Sequence, residues 1–256
     1  MSLVLQGLGV AYGGHTVLQD VHAQTQQQGA MVALVGANGA GKSSLLRALA
    51  GLQTMQGAVL LDGEDLSRWN PAQRARHIAY MPQTLPQTTS LSVFESVLGA
   101  VRTACPQWGA QQALERVQAV LLDLQLEALA MRPLATLSGG QRQMAGLAQL
   151  LARAPRLLLL DEPTSALDLR WQLCLMQALQ AHVQRYQTLC LMAVHDLNLA
   201  ARFGAQWWVL AQGRLLAQGS PAEVLSPDLL RQAYGIEARV ERCSQDTPVV
   251  IVERAL

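Results

Sequence analysis

Gly36-Ala37-Asn38-Gly39-Ala40-Gly41-Lys42-Ser43 sets three glycines, one ammonium group and one hydroxyl at the spacing of a phosphate-binding loop. A polyphosphate is well solvated, so a protein competes by aiming backbone N–H groups inward with a helix N-terminus behind them. Gly36, Gly39 and Gly41 allow the turn dihedrals and the close backbone approach that this needs. Lys42 can reach the β and γ phosphates, and the Ser43 hydroxyl can ligate Mg²⁺. The flanks fit, because Met31–Val35 reads as a short buried strand and Ser43–Leu49 as a helix. Lys42 is the only lysine in a chain whose other basic side chains are arginine or histidine. Composition bias alone could leave one lysine, but here it stands where a compact point charge is wanted.

A second group follows the apolar run Leu157–Leu160, which ends in Asp161 and Glu162 ahead of Pro163-Thr164-Ser165. A buried strand ending in an acid places it at the sheet edge. Asp161 there can hold Mg²⁺, directly or through water, and Glu162 can orient and deprotonate an attacking water. The plainer alternative is an exposed acid pair in a turn. Gln83 closes the short strand Ile78–Met81; it is either a surface amide in a glutamine-rich chain or a Mg²⁺ ligand that senses the γ phosphate. His195 ends the buried strand Thr188–Val194, as a turn residue or as a γ-phosphate contact. Tyr12 near a strand end is a core aromatic or an adenine stack. Leu137-Ser138-Gly139-Gly140-Gln141 opens a helix: Ser138 is a plain N-cap, or it and the glycines form a second anion site.

These residues need a scaffold. Leu3–Val10 and Val17–Gln24 read as a hairpin around Gly13-Gly14, and Gly57–Leu61 as a strand ending at Asp62-Gly63. From Pro86 to about Ala152 the texture turns helical, with periodic segments at Leu91–Arg102, Gln111–Asp123 and Gln141–Arg153. Asp168–Gln184 is a further helix, and Trp207–Leu210 with Arg214–Ala217 makes a hairpin at Gly213. The tail Pro221–Leu256 holds one or two short helices and two weak strands. Strands alternating with helices predict an α/β fold with a mostly parallel sheet covered on both faces, an N-terminal antiparallel β subdomain and an inserted α-helical subdomain.

Composition narrows the classes. Of 256 residues, half are hydrophobic and 14% charged, enough for a large core. The net charge of +1 gives no electrostatic reason to expect nucleic acid or anionic lipid. The cysteines Cys105, Cys174, Cys190 and Cys243 are scattered and read as reduced thiols. The N-terminal MSLVLQGLGV does not read as a signal peptide, and no run is long enough for a membrane span. Low complexity is confined to Gln26–Gln28.

Taken together the motifs resemble the ATP-binding-cassette ATPases over nearly the whole chain. Gly36–Ser43 matches Walker A, Gln83 the Q-loop, Leu137–Gln141 the signature, Leu157–Glu162 Walker B, Ser165–Asp168 the D-loop and His195 the switch histidine. The resemblance implies a P-loop nucleotide-binding core over 1–85 and 153–220, a helical subdomain over 86–152, and a small extension over 221–256. It implies ATP held by Tyr12, by Gly36, Ala37, Asn38, Gly39, Ala40, Gly41, Lys42, Ser43 and Ser44, and by Gln83 and Asp161. Mg²⁺ falls to Ser43, Gln83 and Asp161, and catalysis to Glu162, His195 and Lys42. The family also implies a head-to-tail homodimer. In it Leu137, Ser138, Gly139, Gly140 and Gln141 meet the partner's ATP, and Ser165 and Asp168 line the interface.

A finer similarity lies in His195-Asp196-Leu197-Asn198-Leu199-Ala200-Ala201, Gly213-Arg214, Gly219-Ser220-Pro221, Glu223-Val224-Leu225 and Ala233-Tyr234-Gly235. These look like the ATPases of ferric-siderophore, haem and cobalamin importers. Such a resemblance implies two multi-helix membrane permease subunits, a periplasmic binding protein reached indirectly, no nucleic acid, and a peripheral place on the cytoplasmic face of the inner membrane. Ala37 stands for the usual proline, Ser44 for threonine, and Met144-Ala145-Gly146 departs from the common pattern. Gly99–Trp108 departs too, in the region that normally meets the membrane partner. The alternatives are an importer ATPase for another substrate such as a metal ion, and a soluble ATPase acting on DNA or ribosomes; against a DNA-acting relative, only 96 positions separate Lys42 from Ser138, too few for a long coiled coil.

Overall fold

The computed structural model describes residues 1–27, 29–84, 89–165 and 167–256. The hairpin β1 (Leu3–Tyr12) and β2 (His15–Gln24) turns at Gly13 and Gly14, both at positive φ. It is followed by β3 (Met31–Val35), α1 (Lys42–Leu49), β4 (Gln56–Leu61), β5 (Glu64–Asp65), α2 (Pro71–His77) and β6 (Ile78–Met81). A helical stretch contains α3 (Val93–Ala104), α4 (Ala110–Asp123) and α5 (Gly139–Leu151). The chain then returns to β7 (Leu157–Asp161), α6 (Leu169–Tyr186), β8 (Leu189–Ala193), α7 (Leu197–Phe203), β9 (Gln206–Ala211) and β10 (Arg214–Gly219). It ends in α8 (Pro221–Val224), α9 (Pro227–Tyr234), β11 (Ile236–Arg242) and β12 (Pro248–Ala255).

Among the described residues the strands form three sheets. One is antiparallel, in the order β2-β1-β4-β5; one has six strands, β10-β9-β3-β8-β7-β6; the last is the β11-β12 pair. In the six-stranded sheet β9, β3, β8, β7 and β6 run parallel, and only edge strand β10 is antiparallel to its neighbour. Both faces of this sheet are covered, so its strands are continuous apolar runs rather than alternating ones. Alternate side chains divide between two cores. Val32, Leu34, Leu157 and Leu159 join α1 and the antiparallel sheet; Ala33, Val35, Leu158 and Leu160 join the helices α3 to α7.

The parallel register matters for function. Leu34 pairs with Ala193, Asp161 with Ala193 and Met81 with Leu160. The ends of β3, β6, β7 and β8 therefore lie along one edge. That edge receives the phosphate loop, Gln83, Glu162 and His195, where ligands of open α/β sheets gather.

Several sequence boundaries move by a few residues for local reasons. The helix expected from Gln141 begins at Gly139, because Ser138 caps it and draws both glycines into the first turn. The helix expected from Leu91 begins at Val93 under a Ser92 and Glu95 capping box. Two short helices escape the periodicity reading. The first, α2, has Pro at its start and an Asn70–Gln73 capping box. The second, α7, is capped by Asp196. The expected start of the helical stretch at Pro86, the core limit at Leu85, Gln28 of the glutamine run and Ala166 of the Ser165–Asp168 segment lie outside the described residues.

Candidate phosphate and divalent-cation site

The loop leaving β3 is shaped by contacts only glycine permits. Gly36 has φ 149°, and a Cβ there would sit 2.2 Å from the carbonyl oxygen of Leu210. Gly41 has φ 102° and caps α1; a Cβ there would lie 2.4 Å from Leu18 Cδ2. Gly39 faces open space. Lys42 folds back over this cradle, donating from Nζ to the carbonyls of Gly36 at 2.7 Å and Ala37 at 3.1 Å. Its side chain is buried, and that burial lowers its pKa, opposed by the charges of Glu162 and Asp161. An ammonium group held on two neutral carbonyls near two carboxylates is poised to exchange those carbonyls for phosphate oxygens.

Asp161 is buried at the end of β7 and is held from two sides. Ser43 Oγ donates to its Oδ1 at 2.8 Å, and Tyr80 OH donates to its Oδ2 at 3.2 Å. Glu162 lies one residue on, with backbone φ 51°. That left-handed conformation is uncommon for glutamate and turns its carboxylate away from the strand direction. Gln83 Nε2 donates to Glu162 Oε2 at 2.6 Å, and His195 Nε2 pairs with Glu162 Oε1. Two residues from two other strand ends thus converge on Glu162.

Hydroxyl, carboxylate and amide oxygens from Ser43, Asp161 and Gln83 are hard donors of the kind Mg²⁺ takes. Among the described residues no three His, Cys, Asp or Glu side chains form a metal cage. That suits Mg²⁺, which binds through one or two carboxylates and the phosphates of its substrate.

The other expected residues stand apart from this cluster. Ser138 caps α5 in a full capping box, its Oγ accepting from Gln141 N–H at 3.3 Å and its own N–H donating to Gln141 Oε1 at 3.0 Å. Gly140 packs against Trp171, whose Cγ would be 2.5 Å from an added Cβ, while Gly139 is open. Among the described residues no hydrogen bond joins Leu137–Gln141 to Lys42, Ser43, Asp161, Glu162 or His195. The link is one step removed: Gln143 Nε2 donates to Pro163 O at 2.9 Å. Tyr12 ends β1 part-exposed and makes no hydrogen bond to the cluster. Ser165 Oγ donates to Glu162 O at 3.1 Å, and Asp168 caps α6 by accepting from Trp171 N–H at 2.9 Å.

Sequence reasoning passed over Tyr80 and Trp171. Tyr80 alternates with Ala79 and Met81 in β6, a period-two signal that aims it away from them toward the face of α1. Nothing in the sequence marks Trp171 as the wall beside Gly140.

A model of the ABC transporter family matches residues 18–165. A hemin import ATP-binding protein of Bordetella parapertussis is 41% identical over 249 residues, covering 94% of both chains. A cobalamin import ATP-binding protein of Halobacterium salinarum is 37% identical over 94% of this chain, which spans only 60% of that relative's length. Among solved structures, cbiO1 of Clostridium perfringens, part of the ABC transporter complex cbiONQ, superposes with a TM-score of 0.78 at 28% identity, covering 87% of this chain and 89% of that one.

Proposed function

The chain belongs to the ABC transporter family, and from that premise we propose that it is the ATP-binding and ATP-hydrolysing subunit of an importer for haem, a ferric siderophore or cobalamin. The observation that carries the reading is the convergence of Gln83 and His195 on Glu162 beside the Lys42 and Ser43 cradle.

In this reading the Gly36–Ser44 loop receives the triphosphate on its backbone N–H groups, and Lys42 leaves its own loop carbonyls for the β and γ phosphates. Ser43, Asp161 and Gln83 would hold Mg²⁺, which would supply charge to screen the phosphates. Glu162, held by Gln83 and His195, accepts the proton of the attacking water. His195, already against Glu162, turns its ring toward the γ phosphate and stabilises charge in the transition state. The exposed N-terminus of α5, with Ser138 and Gly139, has no phosphate of its own to meet, which supports a head-to-tail homodimer in which it covers the partner's nucleotide.

None of the helices in the described residues is long and apolar enough to cross a membrane; in this reading transport runs through permease subunits. A mainly apolar groove of about 570 Å³ between α3 and α5, lined by Leu91, Glu95, Gly99, Arg142, Gly146 and Arg153, suits a short helix of such a partner. We assign the nucleotide core to 1–85 and 153–220, the helical subdomain to 86–152, and the tail to 221–256. The subunit would sit peripherally on the cytoplasmic membrane face, with a periplasmic binding protein engaged only through the permeases.

Glu162→Gln tests the chemistry. We expect retained ATP affinity, an ATP-trapped dimer on a sizing column, and turnover lowered by about 10²–10⁴-fold, the contribution of a positioned base. Hydrolysis at the wild-type rate would refute the role. Uptake of labelled haem, ferric siderophore and cobalamin in a deletion strain identifies the cargo.

A further inference from the structure

Asn198 and Tyr234, each in a sequence segment singled out above, have no part in the phosphate chemistry themselves. The structure gives both a use. Helix α9 ends at Tyr234, where Gly235 turns the chain left-handed into β11. The Tyr234 hydroxyl accepts a hydrogen bond from the backbone N–H of Gly36 at 2.7 Å, across 198 positions of sequence. Gly36 is thereby held at each of its backbone groups. Its N–H goes to Tyr234, its carbonyl to Lys42 at 2.7 Å, and its α-carbon lies so close to Leu210 O that no side chain fits.

The tail that carries Tyr234 is itself anchored. Asn198 of α7 donates from Nδ2 to Val250 O at 3.2 Å and accepts from Val250 N–H at 2.7 Å. Leu230, Ala233, Ala238 and Val250 are buried in the same core as Trp207 and Val209 of β9. The segment is packed onto the sheet, and its one hydroxyl at the phosphate loop rests on a firm base.

We infer that Tyr234 is a positioning residue for the phosphate loop, and that the C-terminal segment, clasped by Asn198, holds it there. The inference rests on the reading of that loop as an ATP site. When nucleotide draws Lys42 off the Gly36 carbonyl, the Tyr234 bond is the polar contact that still fixes the first residue of the loop. Losing the hydroxyl strips a buried N–H of its acceptor, and the loop relaxes toward conformations that satisfy it elsewhere. Apparent affinity falls with the fraction of chains in the binding-competent form. Turnover at saturating ATP is unaffected, because Tyr234 touches none of the residues assigned to the chemistry.

The test measures equilibrium Mg-ATP binding, KM, kcat and melting temperature on the full chain for wild type, Lys42→Ala, Tyr234→Phe and Asn198→Ala. Wild-type binding that is lost in Lys42→Ala establishes the ATP site. On that footing Tyr234→Phe should weaken ATP binding and raise KM by about five- to tenfold with kcat within about twofold of wild type. Asn198→Ala should move the same two quantities in the same direction by less, and it decides the matter alone if Tyr234→Phe does not fold. A folded Tyr234→Phe chain with wild-type ATP affinity overturns the inference, as does a loss confined to kcat or to thermal stability. No binding by the wild-type chain removes the ATP reading, and this inference with it.

Discussion

Glu162 pays a conformational cost for its position. A glutamate at φ 51° is held in a sparsely populated region, and such residues persist only when their surroundings overdetermine them. Here the preceding residue, Asp161, is locked by Ser43 and Tyr80, and the side chain of Glu162 is bridged to Gln83 and His195. In the proposed reading the two acids divide the work. Asp161 is buried, two hydroxyls fix it, and it suits a cation; Glu162 is held by an amide and an imidazole and suits proton transfer. Asp161→Asn keeps the shape but removes the charge. We expect the Mg²⁺ concentration for half-maximal ATP turnover to rise at least about tenfold, since the carboxylate supplies most of the protein's attraction for a hard dication. A titration of turnover against Mg²⁺ at fixed ATP measures it, and an unchanged half-point would place the cation elsewhere.

Among the elements, α5 carries the sharpest contrast, because its two leading glycines stand in opposite surroundings. A methyl group at Gly140 meets the Trp171 ring, whereas one at Gly139 meets nothing within 4 Å among the described residues. Gly140→Ala should destabilise by about 1–3 kcal/mol, the usual cost of overpacking a fixed contact. Gly139→Ala should instead raise the melting temperature slightly, since alanine is the better helix former by about 0.5–1 kcal/mol. If that open surface covers a partner's phosphate, Gly139→Ala should also lose turnover, and thermal melts paired with ATPase assays separate the two effects. The same element shows what a linear reading can reach. Ser138 as a cap followed from residue type, as did the buried runs Met31–Val35 and Leu157–Leu160, because both signals are local. That β3, β6, β7 and β8 all end on one edge was legible as a pattern of alternating strands and helices. The pairing of Gly140 with Trp171, of Tyr80 with Asp161 and of Tyr234 with Gly36 was not, since each joins residues whose separation carries no periodic mark.

At the scale of the whole molecule, the two cores share one sheet, so damage to either is felt at the phosphate edge. One buried group in α6 makes this dependent on pH. His182 is buried with its Nε2 unpartnered among the described residues, and burial, helped by the Arg116 and Arg185 charges, pushes its pKa down to about 4 from an ordinary 6.5. Between those values the unfolded chain binds a proton that the folded chain refuses. Stability is therefore full above about pH 6.5 and is lost as pH falls toward about 4, by a total on the order of 3 kcal/mol. Urea denaturation from pH 7 to 4.5 should show this slope for wild type, and His182→Phe should flatten it. A slope unchanged by the substitution would assign the effect to other groups. The single lysine has a separate consequence. An acylating reagent meets one side-chain amine in the whole polypeptide, folded against the loop that it closes, so a single mass tag reports whether that loop is shielded. A protease that cuts after lysine likewise has one bond to cleave, Lys42–Ser43 at the head of α1, and it can do so only in molecules whose first helical turn has come undone.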